Sequence, residues 1–289
     1  MNLVRPRRSA LYVPGSNLRA LAKAGTLPAD VLIVDLEDAV APAAKEEARR
    51  AAVEAIRGGL GRAEVVLRVN SLDTPWGPAD LAAAAGSGAD AVLLPKVEGA
   101  DAVREAGRRL EASRAPASMA LWAIVETPRG VLHAEAVASS SPRLACLVAG
   151  TSDLTKDLRA RHTPGRTEVL ASLSMVVLAA RASGLAALDG VHLDLGDEAG
   201  FAASCRQGRD LGFDGKTLIH PRTIPAANLE FTPGDEELAL ARRIIQAHAA
   251  AEAAGQGVVV VDGRLVEGLH VTEARRLVAL AAAIEARAG

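Results

Sequence analysis

The sequence predicts an α/β chain folded as a TIM (β/α)8 barrel with a C-terminal flap. Short runs rich in Val, Leu and Ile alternate with longer Ala/Arg/Glu segments of helical period, the pattern of a parallel sheet whose strands are buried on both faces. The runs number about eight, the strand count of that barrel. The 289 residues exceed one average domain but suit a barrel of about 250 residues with an appendage.

Taken in order, SALYVP (9–14) is the first strand, and Pro14-Gly15 turns the chain into a helix at 17–26. VLIVDLED (31–38) runs apolar into two acids and is followed by a helix at 43–58. EVVLRVN (64–70) closes on Arg68 and Asn70, before a helix at 77–87. AVLLPKV (91–97) breaks at Pro95-Lys96 and precedes a helix at 99–112. ALWAIVE (120–126) ends at Glu126, and the helix at 129–138 starts behind Pro128, a residue suited to a first helical turn. LACLVAG (144–150) leads past Asp153 to a helix at 167–183. AALDGVHL (186–193) precedes a helix at 198–211 that ends at Gly212 in the manner of a C-cap. GKTLIHP (215–221) is the eighth strand, with a final barrel helix after Pro221.

The barrel is therefore assigned to residues 1–232 and the appendage to 233–289. Pro233-Gly234 breaks the chain, and an amphipathic helix runs from Asp235 to about Ala254, ended by Gly255-Gln256-Gly257. A strand-turn-strand around Asp262-Gly263 and a last helix follow.

Charge and composition exclude whole classes of function. With 33 basic and 35 acidic residues and 2% aromatics, the chain has neither the basic footprint nor the stacking surfaces of a nucleic-acid binder. Cys146 and Cys205 form no CxxC pair, which fits a reducing cytoplasm. The basic start MNLVRPRRSALYVPGS lacks the apolar stretch of a signal peptide, and no uncharged run reaches membrane-spanning length.

In such barrels chemistry sits at the C-terminal ends of the strands. The polar residues there are Glu37, Asp38, Arg68, Asn70, Lys96, Glu126 and Asp153. Glu126 and Asp153 come from neighbouring strands, whose axes lie about 5 Å apart, so both could hold one cation. Oxygen ligands with no His or Cys nearby favour Mg2+ or Mn2+. Capping of the next helix, or pairing with an arginine, is the alternative for each. Arg68 offers a fork of donors for a carboxylate or thioester oxygen, and an ion pair with Glu37 or Asp38 is compatible with that role. Lys96 at a strand end suggests a Schiff-base lysine, but the neighbouring acids favour its protonated form. Ser16, Arg19 and Lys23 follow the Pro14-Gly15 turn, where a helix N-terminus could meet a phosphate, or Ser16 or Asn17 could simply cap. Lys216 and His220 are read either as site residues or as parts of turns.

The ordered set SALYVPGS, DLEDAV, RVN, LLPKVE, VETPRG, AGTSDL and FDGKTLIHP resembles the citrate-lyase beta-subunit-like family of CoA-ester lyases. That family lies within the HpcH/HpaI aldolase superfamily, which includes malyl-CoA and citramalyl-CoA lyases. The resemblance spans nearly the whole chain. It implies Glu126 and Asp153 as Mg2+ ligands, Arg68 on the thioester oxygen or oxyanion, and Glu37 and Asp38 supporting the arginine and water around it. It also implies a homotrimer or homohexamer in which the flap covers a neighbour's site and brings an acidic residue for proton transfer. Lyases of the family usually carry an Asp in a DGxxxD arrangement; here DGRLVEGLH supplies Glu267.

The expected reaction is cleavage of a malyl-CoA or citramalyl-CoA type thioester to acetyl-CoA and a 2-oxo acid. VEGLH, WAIVETPRG and GTSDLTKDL also resemble the (3S)-malyl-CoA thioesterase branch, which implies hydrolysis of the thioester instead. A citrate-lyase-type beta subunit dependent on an acyl-carrier partner is the third reading. Arg19, Lys23 and Lys216 are the expected contacts for the phosphates of CoA.

Overall fold

The computed structural model describes residues 5–253, 255 and 257–288. The beginning of the basic N-terminal segment, Met1–Val4, and the helix-ending residues Ala254 and Gln256 lie outside the described residues. Two compact units are present, residues 7–231 and residues 232–288 with 5–6.

In the larger unit, eight strands close a barrel: β1 (Ser9–Pro14), β2 (Val31–Asp35), β3 (Glu64–Arg68), β4 (Ala91–Leu94), β5 (Ala120–Val125), β6 (Leu144–Ala149), β7 (Ala186–Asp189) and β8 (Gly215–Leu218). Every neighbouring pair is parallel, and β8 returns to β1 through the partners Ala10 and Thr217. The strands read as unbroken apolar runs because both of their faces are covered. Ile33, Val66, Leu93, Trp122, Ile124, Val148 and Leu188 fill the barrel interior. Leu32, Val34, Leu67, Val92, Leu121 and Leu147 pack outward against the helices. Inside the barrel the Arg7 guanidinium lies 4.8 Å over the Trp122 ring while its donors bind Glu64 at 2.7 and 2.8 Å.

The helices that return the chain are α1 (Leu18–Ala24), α2 (Lys45–Gly58), α3 (Gly77–Ala85), α4 (Ala100–Ala112), α5 (Pro128–Leu132), α6 (Ala134–Ala138), α7 (Thr151–Asp157), α8 (Leu170–Ala182), α9 (Glu198–Leu211) and α10 (Ile224–Glu230). In α2 the helical spacing of Ala48, Ala52, Val53 and Ile56 gives one buried face. Thr127 caps α5 by accepting from the Gly130 N–H, with Pro128 in the first turn. The end of α9 falls at Gly212, whose φ of 100° is the left-handed cap expected there.

Three differences from expectation have local causes. The second run stops at Asp35, because its carboxylate accepts from the Glu37 and Ala39 N–H groups and turns the backbone out of the sheet. The helix expected at 129–138 is two helices that meet at His133. The short helix α7, unanticipated, begins immediately behind Gly150 and carries Asp153 in its first turn.

The smaller unit contains α11 (Asp235–Ala253), the antiparallel strands β9 (Val259–Val261) and β10 (Arg264–Val266), and α12 (Gly268–Ala288). Asp262 (φ 49°) and Gly263 (φ 75°) give the hairpin two central residues in the left-handed region, as a tight type I′ connection requires. Val261, Val266 and Val271 form its small core. Among the described residues no helix is long and apolar enough to cross a membrane.

Candidate active site

The C-terminal ends of β2 to β6 bring Glu37, Asp38, Arg68, Lys96, Glu126 and Asp153 to one side of the barrel. A cavity of about 470 Å³ there is walled by Tyr12, Asp38, Arg68, Glu126, Ser152 and Asp153, among others. A second cavity, of about 980 Å³, opens between the loops after β2, β3 and β4 and takes in Glu37, Asp38 and Lys96. Asp38 borders both.

Arg68 is the best-held side chain of the group. It ends β3 in register with Asp35 at the end of β2, so the two side chains start from paired Cα positions. Its Nε and Nη2 donate to the two Asp35 carboxylate oxygens, each at 2.6 Å. Nη1 donates to Asp38 at 3.3 Å. Nη1 also stands 2.8 Å from Glu37 Oε2, at an angle too poor for a hydrogen bond, so that buried oxygen is otherwise unsatisfied among the described residues. The guanidinium lies 4.9 Å over the Tyr12 ring. Burial works against its charge, but Asp35 outweighs this and holds the group more firmly protonated than usual. Of the five N–H groups of an arginine, three make these hydrogen bonds, and one on Nη1 and one on Nη2 make none among the described residues.

Glu37 and Asp38 separate although they are neighbours in the chain. Burial pushes the Glu37 carboxyl above its ordinary value against the pull of Arg68 and Lys96. Asp38 lies lower than usual: its partial burial opposes ionisation, and Arg68 and the Glu37 hydrogen bond prevail. Lys96 Nζ donates to Glu37 at 2.7 Å. That bond overcomes burial and holds the amine more firmly protonated than usual, which works against the free base that a Schiff-base lysine needs.

Glu126 follows β5 and is 4% exposed. Burial raises its carboxyl to about 7; the Lys96 N–H opposes the rise, and the charges of Glu37 and Asp153 add to it. Its one hydrogen bond among the described residues comes from that N–H to Oε1, at 2.7 Å. Asp153 faces the same cavity from α7, and the neighbouring Ser152 hydroxyl is buried without a partner among the described residues. No three His, Cys, Asp or Glu gather into a metal cluster among the described residues; Glu126 and Asp153 are two carboxylates on one cavity that could share a cation. A buried carboxyl near a second carboxylate, facing a cavity and with no ion pair of its own among the described residues, is the donor set that a hard divalent ion suits.

Other candidates fall elsewhere. Asn70 is a joint: its amide donates to Asp80 at 2.6 Å and to the Leu36 carbonyl at 2.9 Å. Lys216, expected among the phosphate contacts, is fully buried and donates to Asp189 at 2.8 Å, so it cannot reach a solvent-borne phosphate. His220 Nδ1 accepts from the Arg222 N–H and caps a short 3-10 turn. Ser16, Arg19 and Lys23 are exposed beyond Pro14, itself a cavity wall residue, and of the two expected caps it is Asn17 that caps α1. Glu267 belongs to the smaller unit, exposed between β10 and α12, with its backbone N–H donating to His270 Nδ1. Sequence reading missed Asp35 and Tyr12. Asp35 leaves a partial signal in the sequence, an acid at the end of an apolar strand, but its pairing with Arg68 rests on the register of β2 with β3.

Known proteins resemble this chain over most of its length. Residues 8–221 match the family described as HpcH/HpaI aldolase/citrate lyase. A (3S)-malyl-CoA thioesterase of Cereibacter sphaeroides is 48% identical over 97% of this chain and 96% of that one. Citrate lyase subunit beta of Escherichia coli is 39% identical over 94% of this chain and 92% of that protein. Among solved structures, CitE of Mycobacterium tuberculosis in complex with magnesium, acetoacetate and coenzyme A superposes with a TM-score of 0.77 at 33% identity, over 95% of this chain and 97% of that one. The chain is an enzyme of the HpcH/HpaI aldolase/citrate lyase family.

Proposed function

We propose that this enzyme is Mg2+-dependent, with Mn2+ as a substitute, and acts on a short β-hydroxyacyl-CoA thioester of the malyl-CoA class. The observation that carries the reading is one cavity shared by Glu126, Asp153 and the firmly held guanidinium of Arg68. Glu126 and Asp153 would hold the ion. When bound, the ion supplies a Lewis acid that anchors the carboxylate and hydroxyl of the hydroxy-acid end.

Arg68 faces the thioester oxygen, where negative charge grows in both thioester hydrolysis and carbon-carbon cleavage. Its donors gain most when that charge develops, which is how a fixed, partly desolvated donor accelerates a step. Asp35, Glu37 and Asp38 keep the guanidinium oriented so that little reorganisation is needed. Glu267 is the proposed proton-transfer carboxylate. Ser16, Arg19 and Lys23 are the proposed contacts for the CoA moiety, and a homotrimer or homohexamer is the proposed assembly.

Hydrolysis is the outcome favoured by the 48% full-length identity to a (3S)-malyl-CoA thioesterase. A water oxygen bonds to the thioester carbonyl carbon, the C–S bond breaks, and CoA leaves as the thiol. The second reading, favoured by the similarity to citrate lyase subunit beta, breaks the bond between the hydroxyl-bearing carbon and the carbon next to the thioester. Its products are acetyl-CoA and a 2-oxo acid. Purified protein given malyl-CoA and Mg2+, with and without EDTA, decides between them. Free CoA with intact hydroxy acid establishes hydrolysis, and acetyl-CoA with glyoxylate establishes the lyase. No EDTA-sensitive turnover removes both and points to dependence on an acyl-carrier partner.

A further inference from the structure

Lys96 has a φ of 50°. A lysine gains nothing from the left-handed region, which costs any residue with a Cβ about 1 kcal/mol or more, so the conformation needs a reason in its surroundings. The residue stands two positions beyond β4, behind Pro95, and its side chain is tied to Glu37. In this conformation its peptide N–H points at Glu126 Oε1, 2.7 Å away.

A second constraint acts on the same carboxylate from the end of β6, the strand on the other side of β5. A Cβ on Gly150 would lie 2.2 Å from Glu126 Cβ and 2.6 Å from Oε2, the oxygen that Lys96 does not hold. Its φ of −94° is open to any residue, so space rather than backbone freedom demands glycine. Its own N–H donates to the Val125 carbonyl at 3.0 Å, which fixes this close approach beside β5.

We infer that Lys96 and Gly150 are positioning residues that clamp the Glu126 carboxylate from two sides, the first through its strained peptide N–H and the second through its missing side chain. The clamp rests on the reading of Glu126 as a metal ligand. Lysine, rather than glycine, occupies position 96 because the Glu37 bond holds the strained backbone in place while the N–H does the aiming.

The test is Mn2+ affinity, by titration calorimetry or by the electron paramagnetic resonance signal of free Mn2+, on the purified full chain without substrate. Lys96→Gly and Lys96→Asn remove the ammonium but accept a positive φ, and both should bind within about threefold of the parent. Lys96→Val, whose branched side chain resists that region, and Gly150→Ala should weaken binding by about tenfold to a hundredfold, the usual cost of losing a group that orients a ligand. Should Lys96→Val not fold, Lys96→Ala replaces it, with a smaller loss in the same direction. Equal weakening by Gly and Val at 96 would assign the effect to the ammonium and overturn the clamp, as would parental affinity in Gly150→Ala. Glu126→Gln separates the two levels. If it binds Mn2+ as the parent does, the metal reading itself fails; if it alone loses binding, only the clamp fails.

Discussion

Two ion networks occupy the same barrel and differ in what they leave unused. At the ends of β2, β3 and β4, two cations, Arg68 and Lys96, meet Asp35, Glu37 and Asp38, and the network is open, with the side chains of Asp38 and Lys96 60% and 43% exposed. Where the end of β7 pairs with the start of β8, two cations, Arg166 and Lys216, close on the single carboxylate of Asp189, and both Asp189 and Lys216 are 0% exposed. Arg166 Nη1 spans both Asp189 oxygens at 2.8 and 2.7 Å, Lys216 adds a bond to Oδ2, and the Gly190 N–H adds one to Oδ1. A Cβ on Gly208 would stand 2.7 Å from Oδ2, so even the helix that packs there leaves no gap. A saturated pair fixes structure, whereas a pair with spare donors and acceptors is available for chemistry. Excess acid beside a cavity marks the first; excess base around one fully buried carboxylate marks the second.

The largest contrast to test is Glu126→Gln against Asp189→Asn. Glu126→Gln should lower turnover by about a thousandfold or more, in line with the loss of a group that sets the principal electrostatic stabilisation. Its fold should survive. Asp189→Asn leaves Arg166 and Lys216 buried without a counter-charge and should cost about 3–5 kcal/mol of stability. Steady-state kinetics and denaturant unfolding on both proteins read the two axes. A catalytic collapse without unfolding in Asp189→Asn would dissolve the distinction.

The pH dependence of stability sharpens it. Glu126 titrates at about 7 in the folded chain against an ordinary 4.5, chiefly because of burial. Below 4.5 both folded and unfolded chains hold the proton. Between 4.5 and 7 the unfolded chain releases it first, so this group's contribution to stability falls as pH rises and is fully lost above 7. The shift corresponds to about 3 kcal/mol. Unfolding of the EDTA-treated protein should show that decline, Glu126→Gln should lack it, and Mg2+ at pH 8 should restore stability in the parent alone. A flat profile in the parent would place Glu126 in a more polar setting than its burial implies.

What could be read from sequence followed the same division. The barrel was legible because two-sided burial writes strands as apolar runs, and all eight lie where the runs are. Polar residues just past those runs identified most of the open network. The rest depended on geometry that local pattern does not carry. Asp35 reads as a strand residue until its register with Arg68 is known. Lys96 reads as a side chain, although its peptide N–H makes the contact with Glu126. Lys216 reads as a surface cation because burial of a lysine is rare, and only the tertiary placement of Asp189 supports it. The α7 helix was hidden by its seven-residue length.

Within the open network the smallest stability effect should fall on Asp38, and this separates holding from acting at the level of one residue. Asp38 meets Arg68 at 3.3 Å and is the most exposed acid of the set. Exposed pairs of this kind contribute about 0–1 kcal/mol, so Asp38→Asn should barely move the unfolding midpoint. Asp35→Asn, by contrast, removes the charge from a buried two-point contact and should cost several times more. Activity should rank differently, because Asp38 borders both cavities, whereas Asp35 borders only the smaller of the two and has both oxygens engaged by Arg68. A measurable fall in kcat/KM for Asp38→Asn at unchanged stability would show that the exposed acid serves the reaction; parental kinetics would reduce it to a solvated neighbour of Arg68 and leave Asp35 and Glu37 as the acids that hold the guanidinium.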